Sequence, residues 1–147
     1  MKRLHIHVSI DDLKQSIGFY SKLFGSEPTK CEEDYAKWML DDPKVNFAIS
    51  ARGAKPGIDH LGLQVESAEE LDDVRERLKQ ADMQTFDEGE TTCCYAKSDK
   101  TWVEDPSGIA WETYRNMEDA DLFSHETSEK TACCVPNETD PETAGCC

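Results

Sequence analysis

LHIHVSIDDLKQSIGFYSKLFG, residues Leu4 to Gly25, changes its period halfway along. Leu4, Ile6, Val8 and Ile10 alternate with His5, His7 and Ser9, a period of two that predicts a half-buried strand. Leu13, Ile17, Tyr20 and Phe24 then recur at helical spacing, with Phe19 beside them in the same apolar stripe. Asp11 or Asp12 stands where an N-cap belongs, and Gly25 where a helix stops. A strand therefore runs into an amphipathic helix.

The order then repeats. Short extended segments are expected near 35–40 and 44–50, either side of the turn Asp41-Asp42-Pro43, and Gly53 to Gly57 reads as a linker. His60-Leu61-Gly62-Leu63-Gln64-Val65 is a second strand. Ser67-Ala68-Glu69-Glu70 has capping-box spacing, and Leu71, Val74, Leu78 and Ala81 form a second helical stripe. Strand-like pieces follow near 83–87, 93–97, 100–104 and 109–115, with Asp105-Pro106-Ser107-Gly108 as a turn. The chain is strand–helix–strands written twice, an α+β arrangement of two βαβββ modules at about 1–52 and 58–115 within a domain at 1–118. Residues 119–147 are acidic, poor in apolar side chains and contain two cysteine pairs. Such a segment buries too little to offset its ordering entropy, so a mostly disordered tail is expected.

Of the 147 residues, 31 are Asp or Glu and 16 Lys or Arg, a formal net charge of -15. So acidic a chain repels nucleic acid and anionic membrane surfaces. No apolar run reaches the roughly 18 residues of a membrane span, and the charged start Met1-Lys2-Arg3 lacks the apolar core of a signal peptide. A cytoplasmic protein without nucleic-acid or membrane partners is expected.

Two sets of residues carry chemistry. His5 and His60 begin the first strand of each half, and Glu112 lies on the last strand. Two imidazoles and a carboxylate match the facial ligand set of non-haem Fe(II) oxygenases, which leaves positions open on the metal. His7 faces the same side as His5 and is the only rival for its place. Second, Cys93 and Cys94 are adjacent. They cannot easily bond to each other, because the ring they would close strains the disulfide geometry, but they can jointly hold a thiol-seeking atom. Adjacent side chains on a strand point to opposite faces, so the pair belongs on a loop or at a strand end. Tyr95 and Trp102 are the aromatic residues placed to line a pocket, and Cys31 reads as structural.

The strand–helix stretch with His5, the later DHLGLQV at 59–65 and DPSGIAWETY at 105–114 resemble the vicinal-oxygen-chelate superfamily, the fold of glyoxalase I, fosfomycin-resistance proteins and extradiol dioxygenases. The resemblance covers about 1–115 and implies paired modules forming a cupped mixed sheet around a metal held by His5, His60 and Glu112. Glyoxalase I adds an acidic ligand from the first half, where Val45 to Ser50 offer no carboxylate. TTCCYAKSDKTW, residues 91–102, is similar to the organoarsenical C–As lyase branch, related to cadmium-induced proteins. The likeness implies that Cys93 and Cys94 bind trivalent arsenic while Fe(II), with Mn(II) or Ni(II) as alternatives, activates O2. Gln also occurs as first ligand in that branch, where this chain has His5. The implied activity is Fe(II)- and O2-dependent cleavage of the carbon–arsenic bond of a trivalent organoarsenical, with release of arsenite. The alternatives are a non-catalytic cadmium- or arsenite-binding resistance protein and a Mn(II)-dependent fosfomycin-type thiol transferase, for which Lys97, Lys100 and Arg115 would supply a basic pocket. A homodimer is compatible with the fold.

Overall fold

The computed structural model describes residues 2–93 and 96–116, with the side chains of 89–93 and 96–97 left aside. Ten elements follow the expected double order. The first module is β1 (Arg3–Ser9), α1 (Leu13–Phe24), β2 (Lys30–Glu32), β3 (Tyr35–Asp41) and β4 (Lys44–Ser50). The second is β5 (Gly57–Val65), α2 (Ala68–Gln80), β6 (Thr85–Cys93), β7 (Ala96–Glu104) and β8 (Ala110–Asn116). All the strands join one mixed sheet in the order β2-β3-β4-β1-β5-β8-β7-β6. The modules meet at β1 and β5, which pair antiparallel, while β1–β4 and β5–β8 are parallel. The first strand of each half thus lies at the centre of the sheet, which is where the histidines are.

Each helix begins as its cap residues dictate. The Asp12 carboxylate accepts the Gln15 N–H at 2.9 Å, and Gly25 closes α1 with φ 67°, a left-handed angle that suits glycine. At α2 the Ser67 hydroxyl accepts the Glu70 N–H, and the Glu70 carboxylate reaches back to the N–H of Glu66, one residue earlier than the usual reciprocal partner.

Strand alternation sorts the residues between two faces. Ile6 and Val8 of β1 with Ile10 just after it, Ala36, Trp38 and Leu40 of β3, and Val45, Phe47 and Ile49 of β4 pack with Ile17, Tyr20 and Phe24 of α1. Trp38 is wholly buried, and its indole N–H donates to the Ser26 carbonyl at 3.0 Å. In the second half Val65, Leu71 and Val74 are buried. Leu78 is half-buried, and Ala81 is an exposed C-cap outside the stripe.

The structure corrects three expectations. Phe19 does not belong to the core stripe; it is 60% exposed, because of the aromatic residues of α1 it is Tyr20 and Phe24 that turn toward the sheet. The pieces expected near 83–87, 93–97 and 100–104 are two long strands, β6 and β7, paired from Thr85–Val103 to Cys93–Ala96 with a bulge between Asp87 and Gly89. Polar residues 87–92 conceal the strand from a hydrophobicity reading, since β6 is an edge strand. Finally, β2 at Lys30–Glu32 is the third strand that the βαβββ pattern requires after α1, at a place the sequence reading did not locate. Cys94, Tyr95 and the tail at 119–147 lie outside the described residues. No described helix is long and apolar enough to cross a membrane.

Candidate metal centre

The other side of the same alternation builds the site. His5, His7 and Ser9 leave β1 on the face away from α1, as do Asn46, Ala48 and Ser50 from β4. From the second half come His60 of β5, Ser98, Lys100 and Trp102 of β7, and Glu112 and Tyr114 of β8. These side chains line a cavity of about 310 Å³. His5, His7 and Glu112 are buried, and His60 is half-buried.

Three of the expected ligands converge. His5 Nε2 lies 3.3 Å from His60 Nε2 and 3.3 Å from Glu112 Oε1, and His60 Nε2 lies 3.5 Å from the same oxygen. Each imidazole is anchored at its far nitrogen. His5 Nδ1–H donates to the Asn46 carbonyl at 3.0 Å, and His60 Nδ1–H donates to Asp59 Oδ1 at 2.6 Å. Anchoring Nδ1 this way presents Nε2 to the centre. A nitrogen lone pair, a second one and a carboxylate oxygen then face one another in a buried place, an arrangement that requires a positive charge between them.

The titration behaviour agrees with this picture. Burial pulls His5 down to about 4, and burial with the neighbouring His60 charge does the same to His7. Both are therefore neutral near pH 7. Burial would lower His60 as well, but the hydrogen bonds to Glu112 and Asp59 and their charges outweigh it and hold its pKa above the usual 6.5. Burial would raise Glu112, yet its hydrogen bond to His60 and the charges of Lys100 and His5 keep it below the ordinary carboxylate range. Protonation of His60 would put a positive charge where a cation belongs. The donor set fits a divalent metal, and three histidine donors, those of His5, His7 and His60, lie mutually within 4.8 Å.

Several supporting residues were not legible as site residues. Asp59 orients His60. Asn46 sends its carbonyl to His5 and its amide to Tyr114 Oη at 2.6 Å and Gln64 Oε1 at 2.9 Å. Lys100 Nζ, itself buried, stands 3.4 Å from Glu112 Oε2. Gly62 pairs directly with Glu112, and a Cβ there would meet the Glu112 carbonyl oxygen at 2.5 Å and its Cγ at 2.8 Å. Strand alternation from Glu112 would have found Tyr114, and from Trp102 it would have found Ser98; Lys100 was expected only as part of a phosphonate pocket. Nothing in the sequence around Gly62 signals its close contact with Glu112.

Trp102 lines the cavity, as expected, with its ring edge-on to His60 at 5.3 Å. Cys93 is the last residue of β6, at the strand end where a chelating pair was placed, while Cys94 and Tyr95 lie outside the described residues. Cys31 packs against the first-half core. The basic trio imagined for a phosphonate pocket does not assemble among the described residues. Lys100 lines the cavity, but Arg115 alternates to the other face of β8, within range of the charge on Glu69 of α2. The cavity's other cations, Lys37 and Arg52, come from the first half.

The sequence matches the family described as "Glyoxalase/Bleomycin resistance protein/Dioxygenase superfamily" over residues 2–113. It is 41% identical over 150 residues to a trivalent organoarsenical cleaving enzyme of Bacillus sp. (strain MD1), covering 100% of this chain and 91% of the relative. It is 35% identical over 142 residues to the cadmium-induced protein CadI of Mycobacterium tuberculosis (strain ATCC 25618 / H37Rv), covering 91% and 93%. Among solved structures, homoprotocatechuate 2,3-dioxygenase from Arthrobacter globiformis superposes with a TM-score of 0.59 at 21% identity, over 82% of this chain and 39% of that one.

Proposed function

This chain belongs to the Glyoxalase/Bleomycin resistance protein/Dioxygenase superfamily, and from that membership we propose that it cleaves the carbon–arsenic bond of trivalent organoarsenicals in an Fe(II)- and O2-dependent reaction. The observation that carries the reading is the convergence of His5, His60 and Glu112 within 3.5 Å, in a chain 41% identical to a relative named for organoarsenical cleavage.

His5, His60 and Glu112 would hold the metal, and bound Fe(II) supplies the activation of dioxygen. Mn(II) and Ni(II) suit the same imidazole and carboxylate donors, so the choice of iron rests on the oxidative chemistry. For methylarsenite the balance is CH3As(OH)2 + O2 → HCHO + As(OH)3. The methyl carbon supplies every electron that dioxygen takes, arsenic stays trivalent, and no further reductant is needed. The substrate is neutral and thiophilic. Cys93 and Cys94 would bind its arsenic, since As(III) prefers thiolates to imidazole or carboxylate. Two sites of different softness then sort metal from substrate, and holding both raises their effective concentration. His60 keeps its orientation through Asp59 and His5 through Asn46. Lys100 offsets the Glu112 charge on its second oxygen, and Trp102 closes one wall. β4 turns only Asn46, Ala48 and Ser50 toward the cavity, so it offers no fourth carboxylate of the glyoxalase kind.

All three ligands lie on one chain, so a homodimer, although compatible with the fold, is not needed to complete the site. The acidic tail at 119–147 is proposed to be separate from catalysis. The similarity to CadI favours a second reading, a protein that sequesters cadmium or arsenite on its thiols without turnover. Product analysis separates the two. Protein is loaded with Fe(II) without oxygen, given methylarsenite, exposed to air, and its arsenic species are separated over time. The lyase releases many equivalents of arsenite, dependent on Fe(II) and O2. Methylarsenite that stays bound and unchanged at a fixed ratio would replace it with the sequestering protein.

A further inference from the structure

His7 is more than a neighbour of the metal centre. It leaves β1 on the same face as His5, two residues on, and is equally buried. Its ring stands edge-on to His60 with centroids 4.7 Å apart, closer than His5, whose ring lies 5.3 Å from that of His60. Like the other two imidazoles it is held at one nitrogen, though at Nε2 where they are held at Nδ1. His7 Nε2 lies 2.9 Å from Ser50 Oγ; in the tautomer whose Nε2–H donates to that hydroxyl, Nδ1 keeps its lone pair, and Asp59 Oδ1 is 3.9 Å from it, beyond hydrogen-bonding distance. Each of the three imidazoles is therefore held at one nitrogen and open at the other, the arrangement in which a hydrogen bond orients a metal-binding histidine.

The spacing suits a shared ion. Donors about 2.1 Å from a metal lie up to about 4.2 Å apart when opposite each other. The His5, His7 and His60 donors are all within 4.8 Å of one another, so the His7 side chain must swing somewhat closer to share an ion with them.

We propose that His7 is a fourth metal donor, so that the ion is held by three imidazoles and the Glu112 carboxylate. The proposal rests on reading His5, His60 and Glu112 as ligands. An octahedral ion with this set keeps two open positions, where the facial triad alone leaves three.

Counting metal-bound imidazoles tests it. The chain has four histidines: His5, His7, His60 and His125. In protein labelled with nitrogen-15 and loaded with Zn(II) as a diamagnetic stand-in, a His125→Gln background should show three ring nitrogens with metal-shifted resonances. His7→Ala should remove one of them and weaken Co(II) affinity, measured by chelator competition, by at least about ten-fold. Two shifted nitrogens in the His125→Gln protein would overturn the proposal, as would a His7→Ala variant that keeps three or leaves Co(II) affinity unchanged. If His7→Ala fails to fold, the count in the His125→Gln protein decides alone. Neither readout uses an arsenical. Failure here leaves the lyase reading standing, and the product assay can fail with all three imidazoles bound.

Discussion

The two modules share a topology and divide the work unequally. In the first, α1 lies on a dry aromatic cluster: the Tyr20 and Phe24 rings meet Phe47 at 4.6 and 5.1 Å between centroids, over a wholly buried Trp38. In the second, the buried apolar residues among those described are few, Val65, Leu71 and Val74 beside the cavity-lining Tyr114, and α2 is tied to the β6–β7 hairpin by charge. Arg75 donates to Asp99 Oδ1 at 2.7 Å, to Asp87 Oδ1 at 3.2 Å and to the Lys100 carbonyl at 3.4 Å. The hairpin held this way ends at Cys93 and Ala96. The first module is a packed foundation that lends His5 and His7. The second supplies His60, Glu112 and the strands leading to the cysteine pair. A repeated fold thus separates stability from chemistry, since a packed core tolerates little change while an edge hairpin clipped by ion pairs tolerates more.

The largest effect should come from breaking the ligand set across the modules. Glu112→Ala leaves the imidazoles without their carboxylate, so Fe(II) affinity should drop sharply and arsenite release should fall to background. Cys94→Ser should abolish methylarsenite binding while Fe(II) affinity, measured in parallel, stays unchanged. Equal loss of both in the cysteine variant would merge two sites that we treat as separate.

Stability should divide the same way. Trp38→Ala empties the first core and should cost about 3–5 kcal/mol in chemical denaturation. Arg75→Ala, which removes partly exposed and screened ion pairs, should cost about 1 kcal/mol. Similar values for the two would contradict the contrast between the modules.

A gentler probe is Gly62→Ala. The added Cβ must displace the Glu112 backbone or Cγ, so metal affinity should drop about ten- to a hundred-fold, the range for disturbing the support of a ligand. Gly53→Ala, at an exposed linker position whose positive φ of 81° Gly62 does not share and with nothing within 4 Å of the added Cβ, should leave metal affinity unchanged. Last, acidity should weaken the metal. His60 has a pKa raised above 6.5 and must lose its proton to bind an ion. Below that raised pKa, affinity should fall by about ten-fold per pH unit for each proton released. Above it, affinity should level off, because His5 and His7 are already neutral. A flat profile from pH 8 to pH 5 would remove the proton from the site.

The order of elements was legible because it depends on local periods. The shift from two to 3.6 between Ile10 and Leu13 needs only strand and helix geometry, and it recurs after His60. Caps at Asp12, Gly25 and Ser67 are likewise local and stand where they were expected. β6 was not legible in full, because an edge strand facing solvent carries no alternation to read. Phe19 shows the opposite error, an apolar residue counted as core that the helix turns outward.

By itself, then, the sequence determined the doubled strand–helix order and which face of β1 carries histidine, since both follow from backbone periodicity over a few residues. It also contained, through resemblance, the candidates His5, His60 and Glu112. Only the tertiary structure decided that these three meet within 3.5 Å, because that depends on β1 pairing with β5 and β5 with β8, contacts between residues 57 and 50 positions apart at His5–Gly62–Glu112 register. It alone brought Asp59, Asn46 and Ser50 behind the imidazoles and Gly62 against Glu112. Those roles depend on distance and direction across strands, which a linear pattern does not encode.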